Sequence, residues 1–173
     1  MEHFTNSADG RAVFHLCLTR PYSLSTAPFA GDDFVALIVN NDAQISPSDQ
    51  YAVSLALVRF GCRYAVCMGH DCSSWDDSVD YANIEFDPGL TPDKFVMTTW
   101  HDDDTVDRIA NFFLNCTALP EKRSTTSSCF QSDAMTLCSL RFNVSARSPS
   151  MVFPQSRDFA TKALFGLLSR TFR

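Results

Sequence analysis

The chain has 173 residues and a net charge of −6, with 45% hydrophobic and 20% charged residues, which is typical of one soluble globular domain. It contains no run of about 20 apolar residues, so we expect no membrane-spanning helix. Residues 1–10 have neither the basic nor the apolar part of a signal peptide. We therefore expect a cytoplasmic protein whose seven cysteines are free thiols.

Charge divides the chain into two parts. Residues 32–121 carry 16 acidic and 4 basic side chains, whereas residues 122–173 carry 8 basic and 2 acidic ones. We predict a single α/β domain over residues 1–120 and a basic C-terminal extension over residues 121–173. The acidic domain is not expected to bind nucleic acid, because Lys and Arg supply affinity for phosphates. The extension could dock on the acidic body, contact an anionic partner or be solvated.

The first part of the chain predicts a frayed terminus and then two strands. Residues 1–10 form the terminus, and residues 11–18 are dense enough in apolar side chains for a strand, which we place at a sheet edge. Residues 33–39 are continuously apolar, which is typical of a strand covered on both faces of a parallel sheet.

Helix signals follow this strand. Ser46 is an N-cap and Pro47 a first helical residue, Asp49 lies in the first turn, and Gly61 ends the helix.

Two more strand–helix pairs complete the α/β alternation. Residues 62–68 form a strand, and Ser73 or Ser74 caps the helix that follows. Residues 95–100 form a third central strand, and Asp104 or Thr105 caps a third helix. This order predicts an α/β fold, namely a three-layer open sandwich with a largely parallel sheet and Rossmann-like alternation.

The sequence beyond residue 120 gives weaker signals. Residues 122–133 are rich in Ser and Thr and are expected to be irregular, and residues 135–144 alternate as an edge strand does. Residues 145–156 resemble a linker. Residues 157–173 fit an amphipathic terminal helix.

Polar side chains follow the predicted strands, at the edge of the sheet where ligands of α/β proteins bind. His70, Asp71 and Cys72 follow one strand, residues 101–104 follow the next, and residues 40–42 follow the first. If the strands are neighbours, these side chains converge on one rim.

A metal site is the first functional hypothesis for this rim. His70, Asp71, His101 and Asp102 are the candidate ligands, and Zn²⁺, Mn²⁺ or Fe²⁺ is the candidate cofactor. No close-spaced His or Cys pair supports it, and the same residues could cap helices or bond to loop carbonyls.

Nucleophilic catalysis is the second hypothesis. Cys72 lies near a helix N-terminus, which lowers the pKa of a thiol, and His101 is its candidate base. The catalytic candidates are therefore His70, Asp71, Cys72 and His101.

Aromatic and acidic residues flank the same rim. Asp76 and Asp77, like residues 102–104, have a structural explanation, since first-turn carboxylates stabilise helices. Trp75, Asp76 and Asp102 are nevertheless candidates for a rim that contacts a ligand or partner. Trp100 follows an apolar strand and could instead belong to the core.

Two segments of the chain resemble an uncharacterised bacterial α/β domain family of unknown function. They are Gly61–Asn83 and Asp93–Asp104, and the likeness extends over residues 33–115. The matching positions are Gly69, Asp71, Cys72, Trp75, Asp76, Trp100 and His101. The resemblance implies a discrete domain and a bacterial source, and no activity. After Leu119 the chain departs from the family's expected pattern, in which a final apolar strand follows the third helix closely.

Two functions of different class remain open. The leading one is a non-enzymatic binding or interaction module with a protein partner, because no motif is specific to a reaction. The alternative is a metal-assisted hydrolase built on His70, Asp71, His101 and Asp102. Oligomeric state is left open by the sequence.

Overall fold

The structure, a computed structural model, describes residues 1–6, 11–29, 32–117, 119 and 136–142. The elements, in chain order, are β1 (Glu2–Asn6), β2 (Ala12–Leu18), β3 (Phe34–Asn40), α1 (Pro47–Arg59), β4 (Cys62–Gly69), α2 (Cys72–Phe86), β5 (Met97–His101), α3 (Val106–Asn115) and β6 (Thr136–Phe142). No helix in these ranges is long and apolar enough to cross a membrane.

The strands form one sheet in the order β1-β2-β6-β3-β4-β5. β2, β6, β3, β4 and β5 run parallel to one another, whereas β1 is antiparallel to β2. The predicted α/β fold and its largely parallel sheet are therefore confirmed.

Two hydrophobic clusters, one on each face of the sheet, give the fold its three layers. α1 and α2 pack together on one face, and α3 covers the other. The sequence of β3 is continuously apolar because all seven of its residues are buried. Phe34, Ala36 and Ile38 join the cluster under α1 and α2, whereas Val35 and Leu37 join the cluster under α3.

The first helix forms as predicted. The Ser46 side chain accepts a hydrogen bond from the Asp49 backbone N–H, and Pro47 is the first helical residue. Gly61 follows the end of α1 with φ of +103°, a conformation that glycine adopts without strain.

Strand positions differ from the prediction in four places. Residues 2–6 form β1 where a frayed terminus was expected, and β2 lies between two strands rather than at an edge. β6 was expected at an edge and lies between β2 and β3, while β5 was expected to be central and pairs only with β4 among the described strands. Local composition predicts that a strand exists, but its place depends on where the crossover connections lead.

The start of α2 also differs from the prediction. The helix begins at Cys72, directly after Asp71, and neither Ser73 nor Ser74 is its N-cap. Asp71 takes the cap position with φ of 51° and makes no capping hydrogen bond through its side chain. Asp76 and Asp77 therefore lie beyond the first turn, so helix capping does not explain them.

Three expectations lie outside the described residues. They are the irregular segment 122–133, the linker 145–156 and the terminal helix 157–173.

Candidate functional site

The carboxyl ends of β4 and β5 lie side by side, and the place between them is here called the crevice. The two strands are neighbours, with Met68 paired to His101, as the predicted rim requires. From β4 the chain continues into α2 on one face of the sheet, and from β5 it continues into α3 on the other. Such a reversal is the place where open α/β sheets bind ligands.

The β4 side of the crevice is fixed by its backbone. Gly69 has φ of +91°, and a Cβ atom there would lie 2.2 Å from the Asn40 carbonyl oxygen. The His70 N–H donates to that oxygen at 2.8 Å, and Asn40 Nδ2 donates to the His70 carbonyl at 2.7 Å. These contacts position the backbone and leave His70 and Asp71 exposed.

Cys72 is buried at the start of α2. Burial raises the pKa of its thiol, and a backbone hydrogen bond with His101 opposes that rise only in part. A thiol in this environment stays protonated, whereas a nucleophile needs the thiolate. The arrangement gives the nucleophile hypothesis no support, and it stays a prediction.

On the β5 side, His101 turns towards α3. Its Nδ1 lies 2.8 Å from Asp104 Oδ2, its ring centroid is 5.0 Å from that of Phe112, and Asp104 Oδ1 pairs with Arg108 at 2.8 Å. The hydrogen bond from His101 holds the pKa of Asp104 below its usual value, with a smaller contribution from Arg108. Asp102 is exposed and contacts the Asp103 backbone N–H.

The four predicted metal ligands do not form a group. Among the described residues, no three His, Cys, Asp or Glu side chains are arranged to hold a metal ion. The physical reason is the direction of the side chains, because His101 packs beside α3 while His70 remains exposed. A site for Zn²⁺, Mn²⁺ or Fe²⁺ therefore stays a prediction without structural support.

Beside the crevice lies a charged network that the sequence analysis did not find. Asp42, buried after β3, accepts hydrogen bonds from Tyr22 Oη at 2.7 Å and from Arg20 Nε at 2.8 Å. Burial by itself would raise the pKa of Asp42, but the bonds from Tyr22, the Gln44 N–H and Arg20 together hold it below its usual value. Arg20 and Tyr22 follow β2, whereas Asp42 follows β3 and is 20 to 22 residues away in sequence, so no local pattern indicates the network.

The two tryptophans have the opposite of their expected environments. Trp75, a candidate for the rim, is fully buried in the cluster under α1 and α2. Trp100, a candidate for the core, lies on the edge strand β5 with 53% of its surface exposed. Trp75 therefore cannot contact a partner directly, whereas Trp100 can.

Trp100 is one of five exposed large apolar residues on β5, on the segment just before it and on α2, which packs against β5; they are here named the β5-edge surface. Its members are Tyr81, Ile84, Phe95, Met97 and Trp100, which are each 42–67% exposed. Tyr81 and Ile84 are neighbours on α2 by their spacing of three residues. The sequence contains a signal for them, because both lie outside the apolar stripe that Trp75, Val79 and Ala82 form on α2.

Hydrogen bonds hold the edge strand against α2. Thr98 Oγ1 donates to Asp80 at 3.0 Å, and the Asn83 side chain binds the backbone of Lys94 and Val96 at 3.1 Å. Since successive side chains of a strand point to opposite faces, Trp100 shares the α2 face with Thr98, and Met97 shares the α3 face with His101. Exposed apolar side chains of β5 therefore lie on both faces of the sheet.

This surface lies in an acidic environment. Residues 76–107 contain ten acidic side chains and one basic one. The exposed acids Asp77 and Asp80 lie one helical turn before Tyr81 and Ile84, and Asp102 follows β5. The local field therefore favours a positively charged partner.

An open groove runs beside His101, between β5 and α3. Its volume is about 610 Å³, and its lining residues are His101, Asp104, Asp107, Arg108, Asn111, Phe112 and Cys116. Of these residues, only His101 and Asp104 were indicated by the sequence. His101, which lines this groove, shares its face of β5 with Met97.

Comparison with known proteins identifies a family. No curated protein and no solved structure gives a significant match to the chain. One family model matches residues 13–134, which include the crevice and the β5-edge surface and extend beyond the expected 33–115. This match covers more than half of the chain. The chain therefore belongs to the family described as a domain of unknown function, DUF7684.

Proposed function

We propose that this domain is a non-enzymatic interaction module that binds a positively charged segment of a protein partner through the β5-edge surface. One observation carries the proposal: an edge strand presents Trp100 and Met97, each about half exposed, beside exposed apolar residues of α2. Clustered apolar exposure with a polar surround is typical of an interaction site. Tryptophan is enriched among the residues that dominate binding energy.

The backbone of β5 offers a second means of binding. β5 pairs with β4 on one side and with no other described strand. The edge of β5 that no described strand pairs with can therefore accept an extended partner segment through main-chain hydrogen bonds, while side chains on either face supply specificity. Trp100 lies on one face of that edge, and the groove beside His101 lies on the other.

Charge selects among the partners. Ten acidic residues and one basic residue in segment 76–107 repel a second copy of the same surface. Edge-to-edge pairing of two copies is disfavoured for this reason, and a segment rich in Lys or Arg is attracted. We expect the affinity to decrease as salt increases, because salt screens exposed charges.

The alternative function, a metal-assisted hydrolase, is favoured only by the position of the crevice between β4 and β5. Its candidate residues His70, Asp71, His101 and Asp102 form no ligand group with other described residues. The interaction module is therefore the better-supported proposal.

Affinity capture with two variants of the full chain tests it. Trp100→Ser removes the central apolar side chain, and we expect it to weaken binding at least about 30-fold, as for a typical hot-spot residue. Leu90→Asn is the matched control, because Leu90 is also exposed but lies outside the β5-edge surface, and its φ of 44° suits asparagine.

The measurement is the set of proteins retained by each immobilised variant, followed by titration of a purified partner at two salt concentrations. A partner retained by the wild type and by Leu90→Asn, but lost with Trp100→Ser, would support the proposal. Equal retention by all three would refute it.

A further inference from the structure

We infer that the basic segment of this same chain, residues 143–173, covers the β5-edge surface when no partner is bound. The inference rests on the proposed function, since it names a competitor for the same surface. Three independent observations support it. They are the opposite charges of the two segments, the apolar side chains in both, and the length of chain that joins β6 to segment 157–173.

Charge is the first argument. Segment 143–173 contains five basic residues and one acidic residue, whereas segment 76–107 contains ten acidic residues and one basic residue. The two segments belong to one molecule, so their effective concentration with respect to each other is set by the linker and is high. Attraction between them therefore does not require a high protein concentration.

Apolar surface is the second argument. Phe159, Ala163 and Leu167 recur at helical spacing, which predicts an amphipathic helix in segment 157–173. The apolar side of such a helix needs a hydrophobic surface to cover it. Trp100 and its neighbours on β5 and α2 provide an exposed one, and helix-on-groove docking is a common mode of peptide recognition.

Reach is the third argument. β6 ends at Phe142, which is paired with Asn40 of β3. β5 lies three strand positions away from β6, or about 14 Å at the usual spacing of strands. Residues 143–156, if extended, span up to about 46 Å, so segment 157–173 can reach the β5-edge surface while β6 stays in the sheet.

The test uses the fluorescence of Trp100 in the full chain. Trp75 is fully buried, so quenching by acrylamide reports mainly on Trp100, and the Trp100→Phe variant supplies the contribution of Trp75. We expect Lys162→Glu/Arg170→Glu to raise the quenching of Trp100 by about twofold, because it repels the segment from the acidic surface. Lys122→Glu/Arg123→Glu makes the same change in net charge outside segment 143–173, so it is the control and should leave the quenching as in the wild type.

Each outcome decides the inference. Protection of Trp100 in the wild type that is independent of protein concentration, and is lost in the double variant, supports it. Equal quenching in the wild type and the double variant overturns it. Protection that rises with concentration, together with a dimer mass in sedimentation, also overturns it and assigns the surface to a second copy.

The proposed function can fail separately. If the inference fails but capture of a partner still depends on Trp100, the interaction module stands without self-coverage. If Trp100 is protected by segment 143–173 but no partner depends on Trp100, the β5-edge surface is an internal contact and the proposed function fails.

Discussion

Asp76 shows how one buried carboxyl affects the stability of this domain. Its Oδ1 is buried and has no hydrogen-bond partner among the described residues. Burial raises the pKa of Asp76, the hydrogen bond from Thr98 opposes the rise, and the carboxylates of Asp80 and Asp77 add to it. The folded state therefore favours the neutral acid more than the unfolded state does.

The contribution of Asp76 to stability decreases as the pH rises. Because the folded pKa of Asp76 lies above the unfolded value of about 3.9, this group lowers the free energy of unfolding as pH rises from about 4 through the folded pKa. Above that point the loss is constant.

Asp76→Asn removes this ionisation. We expect it to raise the free energy of unfolding at pH 7 by about 1 kcal/mol, because the neutral amide avoids the desolvation cost of a buried carboxylate. The gain should disappear below about pH 4, where Asp76 is neutral in both states. Urea denaturation at pH 7 and pH 3.5 measures both values.

Asp77→Asn is the control, since Asp77 is exposed and its replacement should change stability by less than about 0.5 kcal/mol. A loss of stability in Asp76→Asn at pH 7 would contradict the account, because it would mean that the charged carboxylate has a favourable partner.

Single residues of the candidate site were only partly predictable from sequence. Asp71 follows β4, and His101 is the last residue of the adjacent strand β5, so both lie at the expected edge of the sheet. Asp76 was assigned to a first helical turn, because the start of α2 was placed at a serine rather than at Cys72. Asp76 lies three residues before Val79 of the apolar stripe, so the two side chains are neighbours on α2 and Asp76 is buried with it.

At the scale of elements, the turn from β4 to α2 depends on close contact between two backbones. Gly69 approaches Asn40 so closely that no side chain fits between them. The hydrogen bonds between Asn40 and His70 then tie the end of β3 to the end of β4. This contact determines where α2 begins and therefore where Trp75 enters the core.

Gly69→Ala should be strongly destabilising. Its Cβ would lie 2.2 Å from a backbone oxygen, and φ of +91° disfavours alanine, so we expect a loss of roughly 3 kcal/mol or more. Gly89→Ala is the matched control, because the nearest atom to its Cβ would be 3.7 Å away. Thermal unfolding of both variants measures the difference, and a similar melting temperature for the two would contradict the geometry of this turn.

Elements with local signals were predictable, and their arrangement was not. Ser46, Pro47 and Gly61 predict α1 because a helix end is satisfied by residues adjacent in sequence. β6 shows the opposite case, since its place between β2 and β3 requires the chain to return across the sheet after β5. Nothing in residues 136–142 themselves encodes that return.

At the scale of the whole molecule, an acidic part of the chain that contains the apolar edge is followed by a basic part. Residues 32–121 and 122–173 carry opposite net charge, and the edge strand β5 lies within the acidic part. The exposure of this apolar edge was not predictable from sequence, because it depends on the position of β5 in the sheet. Trp100 is exposed where no described strand pairs with the outer side of β5.

Metal content and the effect of metal on the melting temperature distinguish the interaction module from the hydrolase. Protein purified without a chelator should contain less than stoichiometric metal, and its melting temperature should change by less than about 1 °C with EDTA, Zn²⁺ or Mn²⁺, because an ion that binds only the folded state would raise it. A clear fall in melting temperature on chelation would instead make the hydrolase with His101 and Asp102 the leading proposal.

The most direct test of the central claim is amide hydrogen exchange of the full chain, with and without a partner obtained by capture. The account predicts that the partner slows exchange in residues 95–101 and in the second half of α2, where the β5-edge surface lies. Slower exchange confined to residues 69–72 and 101–105, with residues 95–100 unchanged, would contradict it, because the partner would then occupy the crevice instead.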